Sequence, residues 1–73
     1  MVQGLPVPNL SRLRRLRFMT QEDLAERLGT NQQTVQRWEV GRSNPRLTYL
    51  KKLCELLEVS AEELTGNEKK RAA

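Results

Sequence analysis

Apolar residues recur at helical spacing along most of the chain, and no stretch alternates with the period of a strand. Leu10, Leu13 and Leu16 stand three apart and predict a first helix running to about Phe18. Leu24, Ala25 and Leu28 predict a second helix, and Val35 with Trp38 a third. Leu47, Leu50, Leu53, Cys54 and Leu57 form the stripe of a fourth, and Leu64 marks a short fifth. Polar residues punctuate these runs. Asn9 stands where it can cap the first helix. Thr20 with Asp23, and Ser60 with Glu63, have the three-residue spacing of capping boxes. Asn31 can cap the third helix, with Thr30 as a competing candidate. Gly29 follows Leu28 directly, where a helix end wants a left-handed residue, and Gly41 and Gly66 close the third and fifth helices.

The fold class that follows is all-α, a compact bundle of five short helices. Its expected core is Leu13, Leu24, Ala25, Leu28, Val35, Trp38, Leu50, Leu53, Cys54 and Leu57. Cys54 enters as a small hydrophobe, not as a nucleophile. Residues 1–8, with Gly4, Pro6 and Pro8, read as a flexible lead-in. Residues 9–66 read as the folded domain, and 67–73 as a basic disordered tail.

Composition narrows the possible functions. The 73 residues make one domain at most, and a core of that size supplies only about 3–5 kcal/mol without a staple. A single cysteine gives no internal disulfide, and the absence of histidine leaves no Cys/His metal cluster. Acid–base catalysis usually recruits histidine, and the four glycines are too scattered for a phosphate loop. The expectation is therefore no enzyme, no catalytic residue, no cofactor and no metal. No apolar run spans a membrane, and the N-terminus lacks a secretory pattern. The expected setting is cytoplasmic. The net charge is +4, but its placement is more telling. Residues 10–46 hold eight arginines against four acids, whereas residues 47–66 hold two lysines against four glutamates. A basic first half favours a polyanion such as nucleic acid.

One stretch carries more than the rest. In TQEDLAERLGTNQQTVQRWE, residues 20–39, two amphipathic segments meet at Gly29. The second turns Gln32, Gln33, Gln36 and Arg37 away from its apolar side. Amides and a guanidinium held on one helix face can read base edges in a major groove.

Around that stretch the chain resembles the phage-repressor/Cro-like, or XRE-family, helix-turn-helix domains. The likeness runs over about residues 10–66 and rests on several pieces in order. They are Leu10, Leu13 and Arg14 on the first helix, MTQEDLAERLG, TNQQTVQRWE, the GRSNP loop, LTYLKKLCELLEVS and SAEELTG. The resemblance implies a lambda-repressor-like bundle whose second and third helices form the helix-turn-helix. It implies a sequence-specific, double-stranded DNA-binding transcriptional regulator, with residues 31–40 as recognition helix. Base contacts would come from Gln32, Gln33, Gln36 and Arg37. Phosphate contacts would come from Gln21, Asn31, Arg42, Ser43 and Asn44, with Gln21 also bracing Gln32. Arg14 and Glu39 match an ion pair that locks the recognition helix to the body. The family also implies a possible homodimer on DNA, joined around the loop after the third helix and the fifth helix. A second role for the same fold is an antitoxin or transcription co-factor acting through a protein partner such as a toxin. Two positions depart from the family pattern: Phe18 and Glu58 stand where relatives often carry glycine. Phe18 is left to cover the base of the core.

Overall fold

The computed structural model describes residues 4–66, so the basic tail lies outside the described residues. Five helices follow in order: α1 (Leu10–Leu16), α2 (Gln21–Leu28), α3 (Gln32–Val40), α4 (Leu47–Leu57) and α5 (Ala61–Thr65). Among the described residues there is no strand.

Local chemistry sets the helix starts. The Thr20 hydroxyl accepts from the Asp23 backbone N–H at 2.9 Å, and the Asp23 carboxylate accepts from the Thr20 N–H at 3.0 Å. Those bonds favour the charged carboxylate and hold Asp23 below the usual carboxylate range. Its contribution is therefore present at neutral pH and is lost as pH falls through that lowered value. Ser60 and Glu63 make the same reciprocal pair at the start of α5. Asn31, not Thr30, caps α3: its Oδ1 accepts from the Thr34 N–H at 2.9 Å. Asn9 stands at the N-cap of α1 but makes no capping bond. Its amide instead donates to the Glu63 carbonyl at 2.7 Å and ties α1 to α5. A long-range partner has outcompeted the local one.

The core holds nine of the ten expected residues, together with Val7, Leu10 and Leu64. Cys54 is the exception, half-buried at the edge of the cluster. Leu50, Leu53 and Leu57 form the inner seam of α4, and Cys54 is turned aside from it by one residue. Burial and the neighbouring Glu55 push its thiol up, so it is uncharged at neutral pH.

Three exposed residues correct the sequence pattern. A spacing of three falls back about 60° per step on a helix of 3.6 residues per turn. By Leu16 the row has left the core face, and that side chain is 62% exposed. Leu47, in the first turn of α4, is exposed in the same way. Phe18 lies beyond the end of α1 and is 94% exposed, so it covers nothing. Met19 packs against the core in its place. Phe18 and Glu58 nevertheless keep the left-handed backbone of the glycines they replace, with φ of 58° and 56°. Each such residue stores about 1–2 kcal/mol of strain. Arg17 spans the two, donating to the Leu57 carbonyl at 3.0 Å and lying 3.4 Å from the Glu58 carboxylate.

The lead-in is less loose than its prolines imply. Residues 4–7 have no regular structure, but Val7 is buried in the core and its carbonyl accepts from the Leu10 N–H. Gly4 passes against the loop after α3 with φ of +97°. A Cβ there would stand 1.8 Å from the Pro45 carbonyl oxygen. Gly4→Ala is therefore expected to add about 1–3 kcal/mol of overpacking to the φ penalty. Gly29 also has positive φ, but a Cβ there meets nothing within 4 Å. Gly29→Ala should incur only the φ penalty, about 1–2 kcal/mol. Thermal unfolding of the two variants gives the comparison, and a Gly4→Ala protein as stable as Gly29→Ala would refute the close approach.

Candidate nucleic-acid interface

The two helices on either side of Gly29 cross closely because the contact residue is small. Ala25 is buried there, and its carbonyl accepts from the Thr30 N–H at 2.9 Å. α3 buries Val35 and Trp38, and the Trp38 ring meets Tyr49 at 5.3 Å with a 55° tilt. These anchors fix which side of α3 is left outside. Gln32, Gln33, Gln36 and Arg37 are all exposed.

Among the described residues, Gln32 is the one member of this set with a side-chain bond to the body. Its amide donates to Gln21 Oε1 at 3.2 Å. The Gln21 amide donates to Glu39 Oε1 at 2.8 Å. Glu39 receives the Arg14 guanidinium through two bonds, Nε to Oε2 at 2.6 Å and a terminal nitrogen to Oε1 at 3.2 Å. A third Arg14 nitrogen donates to the Met19 carbonyl at 2.8 Å. A continuous relay thus runs from α1 through the end of α3 and the start of α2 to the first residue of α3. The Arg14–Glu39 pair is almost wholly removed from water, with 10% and 7% of the two side chains exposed. Bidentate geometry and the added bonds to Gln21 and Met19 satisfy both charges.

The remaining candidate residues are arranged differently. Gln33, Gln36, Arg37, Val40 and Arg42 line an open hollow of about 400 Å³ on the outer side of α3. No side-chain bond ties Gln33, Gln36, Arg37 or Arg42 to another described residue. A second hollow beside Gln32 is bordered by Glu22, Asp23 and Glu26, so the cationic part of the face lies toward the C-terminal end of α3. Arg42 belongs to the first hollow. Asn44 does not: it borders depressions with Trp38 and Tyr49. Ser43 is exposed in the loop and lines neither. The Asn31 side-chain oxygen is committed to its cap. Val40, which is absent from the expected set, is 62% exposed and lines the same hollow. The signal was present, since Val40 stands seven residues after Gln33 and two turns of helix span about seven.

Among the described residues no cluster of His, Cys, Asp or Glu could hold a metal. No described helix is long and apolar enough to cross a membrane.

Two helices crossing over a glycine turn, the second offering a polar side to solvent, define the helix-turn-helix class. Residues 10–64 match the Helix-turn-helix family, and the chain belongs to it. The chain is 43% identical over 56 residues to an uncharacterised HTH-type transcriptional regulator of Sinorhizobium fredii. That match covers 77% of this chain and 73% of the relative. Among solved structures, a transcriptional regulator from Listeria innocua superposes with a TM-score of 0.76 at 29% identity. It covers 89% of this chain, which spans only 61% of the Listeria protein. A hypothetical transcription factor from Neisseria gives a TM-score of 0.73 at 28% identity, covering 88% of this chain and 74% of that one.

Proposed function

We propose that the chain is a sequence-specific, double-stranded DNA-binding transcriptional regulator that lays α3 in the major groove. The observation that carries this reading is the outward face of α3, with Gln33, Gln36 and Arg37 opposite the buried Val35 and Trp38. Glutamine pairs bidentately with adenine, and arginine with the two acceptors of guanine. Gln32, held by Gln21, enters already oriented. Gln21, the free N–H groups at the starts of α2 and α3, and the loop residues Arg42, Ser43 and Asn44 set register on phosphates. The role is regulatory, not enzymatic, and its place is with the chromosome in the cytoplasm. A homodimer is the assembly that fits a two-fold operator.

Selection of bound sequences from a random duplex pool tests the reading. A recovered motif supports it, and a symmetric motif with half-sites about 34–36 Å apart supports the dimer. A pool that stays random after repeated rounds would sink it. The phosphate role of Arg42 has its own signature. Arg42→Ala should weaken all duplexes alike and reduce the slope of log K against log salt by about one. A loss confined to the selected sequence would make Arg42 a base reader instead.

A further inference from the structure

The reading row of α3 does not end with its polar residues. Buried Val35 and Trp38 define the inner side of the helix, and the direction opposite to them is shared by Gln33 and Val40. Seven residues return a helix to nearly the same azimuth about 10 Å further along. Val40 is thus the second outermost point of the row and faces the way Gln33 faces. It lines the same hollow as Gln33, Gln36, Arg37 and Arg42.

Local stability gives no reason for valine here. A β-branched residue is a poorer helix former than lysine or glutamine. A cation would suit the negative end of the helix better. The position is also rigid. The Arg42 N–H donates to the Arg37 carbonyl at 2.8 Å and fastens the chain just after Val40. A β-branched side chain on a helix has one dominant rotamer. The hollow therefore presents the methyl groups of Val40, restricted in rotamer, on the same lining as two arginines, Arg37 and Arg42.

We propose that Val40 is a specificity-determining residue that packs on the 5-methyl group of a thymine. The inference rests on the DNA-reading function above. The flanking guanidiniums favour a polyanion over a neutral protein surface. In the major groove the thymine methyl is the apolar mark that distinguishes an A·T pair. Val40 reads that mark while Gln33, Gln36 and Arg37 read hydrogen-bonding edges.

The experiment uses the full chain and a duplex recovered from the random pool, so that DNA reading is established before Val40 is tested. Each thymine of one half-site is replaced in turn by uracil, which lacks only the 5-methyl group. Binding is measured for the wild type and for Val40→Ala. At one position uracil should weaken the wild type about three- to fivefold, the scale of one buried methyl. Val40→Ala should bind the thymine duplex more weakly and lose most of that discrimination, with binding to other positions unchanged. Uracil tolerated everywhere would overturn the proposal. So would discrimination that survives intact in Val40→Ala, because another side chain would then hold the methyl. A variant that changes only the oligomeric state assigns Val40 to a contact between copies and overturns it as well.

Discussion

Arg14→Ala is expected to remove most of the stability of this domain. The substitution leaves the Glu39 carboxylate, 7% exposed, with only the Gln21 amide for company. It also strips the Met19 carbonyl of its guanidinium donor. Orphaning one side of a buried ion pair costs about 3–5 kcal/mol. A bundle of this size holds only about that much in total. At about 4–8 °C per kcal/mol, the melting temperature should fall by more than 10 °C, if a cooperative transition survives at all. Arg15 is exposed on the same helix, and Arg15→Ala should shift stability by no more than about 0.5 kcal/mol. Equal melting temperatures for the two variants would show that the pair contributes nothing. Replacing Arg14 and Glu39 together with apolar residues of similar size should recover much of the loss, because no charge is then left buried. That double variant would also cut Gln21 loose from its acceptor, and so separates folding from reading.

Gln32→Ala should have the larger effect on DNA. An amide that pairs bidentately with adenine contributes about 1–3 kcal/mol of discrimination, or roughly 5–150-fold in affinity. The variant should relax selection at one base position of each half-site and keep the salt slope of the parent. Its melting temperature should barely move, since Gln32 is exposed and lies at the far end of the relay. Competition between the selected duplex and random duplex measures both quantities. If the ratio of the two affinities is the same in Gln32→Ala and in the parent, direct readout through this residue is wrong. Gln21→Ala offers a graded comparison. It leaves the reading amide present but unbraced, so its loss should be smaller than that of Gln32→Ala.

Features governed by neighbours in sequence were readable from the chain. The capping pairs Thr20–Asp23 and Ser60–Glu63, the Gly29 turn and the seam of Leu50, Leu53 and Leu57 depend on residues three or four apart. The Arg14–Glu39 pair and the brace between Gln21 and Gln32 came from family likeness, because nothing local links residues so far apart. Features settled by distant contacts were not readable. Val7 stands between two prolines in a segment with no period, and only the assembled bundle shows the space it fills. Asn9 has the right residue type for a cap, but the Glu63 carbonyl lies closer to its amide than any pattern reveals. Leu16, Leu47 and Cys54 follow from azimuth rather than spacing, and Phe18 from the left-handed turn that ends α1 before it can reach the core. In the candidate site, the outward set on α3 was legible from Val35 and Trp38. The membership of Val40 needed the row followed one turn further than the polar residues suggested.

The unequal anchoring of the α3 side chains bears on how freely each can be exchanged. Gln32 is linked through Gln21 to the Glu39 carboxylate, so a change at Gln21 or Glu39 is expected to disturb both the orientation of Gln32 and the stability of the bundle. Among the described residues, Gln33, Gln36, Arg37 and Val40 have no such side-chain tie to the scaffold. If α3 reads DNA as proposed, exchanging those four should alter the sequence bound while the melting temperature stays put, whereas altering the supports of Gln32 should move both.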